Sequence, residues 1–347
     1  MKQEKDFGKH LMDWYQNHKR DLPWREKKDP YSIWVSEIML QQTRVEAVRE
    51  PYKRFLEAFP DVETLAMAKE EEVHKLWEGL GYYRRATNLW KGAQMVCERW
   101  KGNVPSKKKD LSLIPGIGEY TSGAIASIAF GERVSAVDGN MVRIFSRLDR
   151  SPIYGQGEKG KRILGERIFH LMEKLEDHPG DFNEALMDLG ATICLPQGPE
   201  CEDCPVTDHC EALAHGEVSS YPPKIQKKKR KKEKWTVLHI HWDGKILIEK
   251  RGATGLLAGL YQYPNVEGHW KKERVENYVR SLGMVPAHIE KIKKVGHIFT
   301  HVEWDMWVYE IHVRRGAEEL LFVSEEDLTH KYSIPTAFQK TRKERKS

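Results

Sequence analysis

The sequence predicts an α+β protein in which an all-α amino-terminal part is followed by a smaller α/β part. Apolar residues recur at three-and-four spacing early in the chain, as at Ala86, Leu89, Ala93, Val96 and Trp100, the period of an amphipathic helix. The stretch LSLIPGIGEYTSGAIASIAFGERVSAVDGN, Leu111 to Asn140, reads as helix, tight glycine hairpin, helix. Beyond Tyr221 the period changes to two, with turn residues between short β-rich runs.

A chain of 347 residues is long enough for two separate cores. Its formal charge of +5 suits a polyanionic partner without requiring one. Eleven tryptophans and a 39% hydrophobic fraction argue for folded domains over disorder. A mean hydropathy of -0.66, with no long apolar run, excludes a spanning helix, so no membrane role is expected. The start, MKQEKDFGKHLMDWYQNHKR, has no apolar signal region; a cytoplasmic location with reduced cysteines is expected.

Residues before Asp21 read as a first helix, with Leu22, Pro23, Trp24 and Arg25 as a loop after it. A helix is expected from about Ile33, carrying Ile38, Met39, Val45 and Val48 on its apolar face and no proline before Pro51. Glu37 lies in it between Val35 and Ile38, where a carboxylate is costly to bury unless paired; on residue type alone it is an exposed helix glutamate. Gln41, Gln42 and Thr43, one turn on, are ordinary polar surface by the same standard. Residues 61–77 and 83–100 form two further amphipathic helices, the second placing Cys97 in the core. WEGLGYYRR between them is a glycine-bracketed loop whose two exposed aromatics and two arginines suit base stacking with phosphate contact, or packing onto the flanking helices.

Pro115 to Gly118 form the hairpin turn. Gly116 and Gly118 flank one apolar residue and allow close backbone approach, while the amides opening the next helix, Thr121 to Phe130, carry partial positive charge. A phosphate fits there. Asp138 precedes Gly139 and Asn140 ahead of a helical run, Met141 to Leu148, and reads as an N-cap; beside a clamped phosphodiester it could also act on the sugar. The segment 161–176 and FNEALMDLGATIC give two more helices.

Cys194, Cys201, Cys204 and Cys210 leave six, two and five residues between them. Four thiolates so close can converge on one metal centre, an iron–sulfur cluster or zinc, and disulfides are disfavoured in a reducing compartment. Eight lysines and arginines between Lys224 and Lys234 form a solvated linker or a phosphate contact. WTVLHIHWDGKILIEKR then gives two strands joined at Asp243-Gly244, and KIKKVGHIFTHVEWDMWVYEIHV gives further strands.

The glycine hairpin, the VDGN aspartate and the cysteine run together resemble the iron–sulfur branch of the helix-hairpin-helix DNA glycosylase superfamily, and within it the MutY family of adenine glycosylases, from about Asp21 to about Tyr332. The resemblance implies a helix-hairpin-helix catalytic domain over 1–220, with one [4Fe-4S] cluster held by Cys194, Cys201, Cys204 and Cys210 in a loop at 192–212, a basic linker at 221–234 and a Nudix-like domain at 235–347. It implies removal of adenine mispaired with 8-oxoguanine, or with guanine, from duplex DNA by a bacterial, nucleoid-associated monomer. Glu37, in SEIMLQQT, corresponds to the adenine-protonating acid, and Asp138 to the oxocarbenium-stabilising carboxylate. Trp24, Arg25, Leu40 and Glu184 would line the adenine pocket. Gln42 would wedge into the stack beside Thr43, Gly116 and Gly118 would approach the backbone, and Leu80, Gly81 and Tyr82 would lie beside the oxidised guanine. Phe299, Thr300 and His301 match the family's Phe-Ser-His sensing loop with threonine for serine. Tyr120 occupies the place of the Schiff-base lysine of lyase-competent relatives; a phenol forms no imine, so base release without strand cleavage is expected. GLLAGLYQYPNVE resembles the opening of a Nudix-like domain, but HWKKERVENYVRSLG lacks the REXXEE pattern, pointing to recognition over nucleotide hydrolysis. The competing readings are a pyrimidine-damage glycosylase with lyase activity, opposed by Tyr120, and a lesion-binding protein without activity, opposed by Glu37, Tyr120 and Asp138 together.

Overall fold

The computed structural model describes residues 2–176, 178–223 and 229–342. These fall into two compact units, Met1–Met67 with Asn88–Gln226, and Ala68–Thr87 with Lys227–Ser347. The second unit thus takes in a segment from the middle of the helical region, a grouping absent from the linear boundaries expected above.

Helices run in chain order as α1 (Lys2–His18), α2 (Pro30–Leu40), α3 (Val45–Ala58), α4 (Val62–Met67), α5 (Glu70–Leu76), α6 (Arg84–Trp100) and α7 (Lys108–Leu111). There follow α8 (Glu119–Phe130), α9 (Gly139–Leu148), α10 (Gly157–Met172), α11 (Pro179–Thr192) and α12 (Glu211–Ala214). In the first unit α1, α9, α10 and α11 share a core around Leu11, Phe145, Leu164 and Leu189. α2 is buried from Tyr31 to Met39 and packs on α8, whose residues Thr121 to Ile128 are buried as well. A helix apolar all round belongs inside the protein. The single helix expected from Ile33 is two: the chain turns at Gln42, which adopts φ +57° although the sequence offers no glycine there. α3 then runs through Pro51 because Val48, Tyr52 and Phe55 anchor it in the core.

The second unit carries strands β1 (Lys231–Trp242), β2 (Lys245–Leu247), β3 (Glu249–Lys250), β4 (Tyr261–Gln262), β5 (Asn265–Glu267), β6 (Val285–Ile298), β7 (Val302–Arg315) and β8 (Phe322–Val323). Its helices are α13 (Lys272–Ser281), α14 (Glu325–His330) and α15 (Thr336–Gln339). The main sheet runs β6-β7-β1-β2-β8, with β5 also on β1; β1 and β7 are parallel and the other pairs antiparallel. Alternation sends Val237, Trp304 and Met306 to one face beneath Phe338 of α15, and Leu238, Tyr309 and Ile311 to the other beneath Val275 and Val279 of α13. Asp243 and Gly244 both take positive φ, 49° and 72°, closing the two-residue hairpin. β1 begins at Lys231, so the last four residues of the expected linker are strand; residues 224–228 of the basic run lie outside the described residues. Among the described residues no helix is long and apolar enough to cross a membrane.

Candidate active site

Five elements of the first unit meet around one cavity of about 210 Å³. The turn Pro23–Arg25 contributes Trp24 and Arg25, α2 contributes Glu37 and Leu40, α8 contributes Tyr120, the residue capping α9 is Asp138, and α11 contributes Glu184; Thr43 also lines the wall.

Because α2 is a core helix, Glu37 is carried inward with it and is 6% exposed. Burial pushes its carboxyl up to about 7, the charges of Glu184 and Asp138 push the same way, and the hydrogen-bonded Tyr120 hydroxyl and the Arg25 charge oppose them. Its Oε2 atom is buried with no hydrogen-bond partner. Such a group holds a proton near neutrality and keeps one oxygen for an incoming atom.

Asp138 is fixed as the N-cap of α9: Oδ1 accepts from the Met141 amide at 2.8 Å and Oδ2 from Asn140 Nδ2 at 2.9 Å. Burial raises its carboxyl, and the bonds from Met141 and Asn140, with the Arg143 charge, act against that rise. Tyr120 is held well above the ordinary phenol range by burial and by the charges of Glu37 and Asp138, so it stays a donor.

Glu184 is engaged on both oxygens, accepting from the Tyr15 hydroxyl at 3.1 Å and from Arg25 Nε at 2.7 Å. One turn along α11, Asp188 is fully buried and accepts from Arg25 Nη1 at 2.7 Å, Arg25 Nη2 at 3.0 Å and Arg20 Nε at 2.8 Å. Tyr15, Arg20, Asn140 and Asp188 were not among the site residues read from sequence. The signal was present in EALMD, where two carboxylates four residues apart lie inside an apolar helix and each needs a buried cation.

The phosphate-type hairpin has the expected form. Gly116 takes φ +82°, and Gly118 caps α8 with extended backbone and no capping side chain, leaving the first amides of a 12-residue helix open. Gln42 is exposed in its left-handed conformation at the end of α2. The helix before the hairpin is only α7, four residues long.

In the second unit two distant loops meet. Leu80 is buried, while Gly81 and Tyr82 turn with φ +69° and +46° and present the Tyr82 ring to solvent. Arg85 donates to the carbonyls of Leu80 and Gly81 at 3.0 and 3.1 Å and lies over Trp77 and Tyr82. Tyr83, expected to be exposed with Tyr82, is buried instead and shares a hydrogen bond with Ser333 at 3.1 Å. Phe299, Thr300 and His301 form the turn between β6 and β7; Phe299 packs on Trp304, Thr300 and His301 are exposed, and the Thr300 hydroxyl lies 2.6 Å from that of Tyr82.

Cys194, Cys201, Cys204 and Cys210 line a single cavity with Ile144, Leu148, Leu189 and Leu213 between α9, α11 and α12. No three His, Cys, Asp or Glu side chains among the described residues converge closely enough to hold one ion. Four thiols around one apolar hollow are a donor set suited to a metal centre. Arg147, 3% exposed, donates to Cys194 Sγ at 3.2 Å and to the Leu195 carbonyl at 2.7 Å, a buried cation beside that sulfur.

The comparisons agree with this geometry. Residues 35–165 match the HhH-GPD superfamily of base excision DNA repair proteins and residues 236–344 the NUDIX domain. An adenine DNA glycosylase of Buchnera aphidicola subsp. Schizaphis graminum is 32% identical over 85% of this chain and 84% of its own. The chain belongs to the adenine DNA glycosylase family. The family's Arabidopsis thaliana member is 35% identical over 89% of this chain, which spans 58% of that relative's length. Among solved structures, a thermostable thymine-DNA glycosylase, 31% identical, superposes with a TM-score of 0.57 over 62% of this chain and 98% of its own. The family therefore carries, in this member, a helical HhH-GPD unit followed by a Nudix-like α/β unit.

Proposed function

We propose that this chain flips adenine out of duplex DNA, where it is paired with 8-oxoguanine or guanine, and hydrolyses its glycosidic bond in base excision repair. The observation that carries the reading is Glu37: a carboxyl held near 7, with one oxygen unpartnered, in the cavity that also contains Asp138 and Tyr120.

In this scheme the base enters among Trp24, Arg25, Leu40 and Glu184. Glu37 donates its proton to adenine N7. As the bond between C1′ and N9 breaks, its electron pair leaves with the base, and positive charge grows on the sugar. Asp138 stabilises that oxocarbenium or bonds to it transiently, and water then completes the sugar, leaving an abasic site. Tyr120 donates toward Glu37 and helps set which carboxyl keeps the proton. Among the described residues the cavity's lining includes no lysine, so no imine to the sugar forms and the strand stays intact.

Gly116 and Gly118 would bring the backbone onto the start of α8, Gln42 would fill the vacated stack with Thr43 beside it, and Leu80, Gly81, Tyr82, Phe299, Thr300 and His301 would contact the 8-oxoguanine. Cys194, Cys201, Cys204 and Cys210 would hold one [4Fe-4S] cluster, whose contribution is to cross-link the loop after α11.

The test is a duplex with one adenine opposite 8-oxoguanine, incubated with the protein and then treated with alkali, beside a control lacking the mismatch. Cleavage at that adenine only after alkali, without borohydride trapping, is expected. Binding without cleavage would leave a lesion-binding protein, and efficient trapping a lyase.

A further inference from the structure

The pair Arg25 and Glu184 separates the base cavity from a second cavity of about 360 Å³, lined by Tyr15, Gln16, Lys19 and Lys28, and both cavities share Arg20, Leu22, Arg25 and Glu184. A wall made of two arginines and a glutamate keeps its shape only if something fixes the guanidinium planes. Asp188 has that position. It is fully buried and lines neither cavity, it clamps Arg25 through two nitrogens, and it takes both the backbone amide and Nε of Arg20 at 3.1 and 2.8 Å.

We propose that Asp188 is a positioning residue for adenine excision: it holds Arg25 and Arg20 as the rear wall of the base cavity, and so sets the orientation of Glu184 and the electrostatic field at Glu37. The inference rests on the proposed glycosylase activity. Asp188 touches neither the base nor the sugar; it acts through Arg25.

The field at Glu37 changes with a definite sign. The charged and titratable groups around Glu37 are Tyr120 from α8, Asp138 at the start of α9, Glu184 from α11 and Arg25, with Arg20 on the same cavity wall. The carboxylates and burial favour the protonated acid, and Arg25 disfavours it. Replacing Asp188 with asparagine keeps the shape but leaves Arg25 and Arg20 short of one countercharge, and the added positive field favours ionised Glu37. The alkaline limb of the rate profile, where Glu37 loses its proton, then moves to lower pH.

Single-turnover adenine release is measured from pH 5 to 9 for wild type and Asp188→Asn, with duplex affinity measured in parallel. The expected result is a loss of about 10- to 100-fold in the rate constant at neutral pH, the same size as the loss when the groups that orient metal ligands are removed, a downward shift of the alkaline limb, and little change in affinity. Adding Arg20→Gln to Asp188→Asn restores the charge balance without restoring the clamp on Arg25. The limb should return toward the wild-type position while the rate stays low, and the balanced pair guards against a single variant that fails to fold. An Asp188→Asn rate and limb equal to wild type would overturn the proposal, as would a double variant whose limb does not return. No release by wild type would refute the glycosylase reading itself, so the two failures are distinct.

Discussion

Glu37 shows how a residue that is costly to the fold can suit the proposed reaction. Its carboxyl lies at about 7 in the folded protein against 4.5 in the unfolded chain, so the native state binds the proton more tightly. The stabilisation from that proton is complete below about pH 4.5 and is lost as pH rises through about 7, a difference of roughly 3 kcal/mol. Glu37→Gln cannot ionise. Its melting temperature should exceed that of wild type at pH 8 and the advantage should fade toward pH 5, while adenine release falls by about 10²- to 10⁴-fold, the usual share of a general acid. Wild-type release should itself decline above pH 7. A variant with normal turnover, or with no pH-dependent gain in stability, would remove Glu37 from the acid role. Glu37, Asp138 and Tyr120 were readable because each sits in a short motif of the chain; the EALMD spacing marks Asp188 as a carboxylate that needs a cation, but that Arg20 and Arg25 supply it shows only once the chain after α1 is packed against α11.

At the scale of elements, the glycine hairpin separates two uses of the same residue type. Gly116 needs its freedom: φ is +82°, and an added Cβ would stand 2.8 Å from Cβ of Asn88. Gly118 does not, since its backbone is extended and an added Cβ would meet nothing within 4 Å. Gly116→Ala should therefore cost about 1–2 kcal/mol of stability. Gly118→Ala should leave stability within about 0.5 kcal/mol and still weaken duplex binding, because the open space it fills lies over the first amides of α8. Chemical denaturation with a binding titration on both variants decides this; unchanged affinity in Gly118→Ala would mean that no phosphate approaches there. The hairpin was legible from sequence since PGIG has few other uses. The break between α2 and α3 was not, because it depends on a left-handed Gln42 in a stretch without glycine or proline, a conformation that tertiary packing imposes at a cost of about 1–3 kcal/mol.

At the scale of the whole molecule, composition located the change from helical to β-rich chain near residue 221, but it could not show that residues 68–87 pack with the carboxyl-terminal part. That membership rests on particular contacts. The Ser333 hydroxyl donates to the His74 carbonyl at 3.3 Å, Lys250 pairs with Glu71 at 2.7 Å, and Gln339 donates to Glu78 at 2.6 Å, each joining residues more than 170 positions apart in sequence. Local periodicity reports none of them, since α5 alone reads as one more amphipathic helix of the first part. A cut after Pro223 divides the second unit and strips α5 and the Leu80–Tyr83 turn of these partners. In such a truncated chain the amides of residues 70–87 should exchange with solvent much faster than in the full chain, while those of α8 and α11, whose contacts lie in the first unit, should keep most of their protection. Discrimination between 8-oxoguanine and guanine opposite adenine should fall in the same truncation, because Tyr82 loses its Thr300 partner along with the loop that carries it. Equal protection of residues 70–87 in the two chains would mean that the segment is held by the helical part after all, and that the expected boundary at 220 is the physical one.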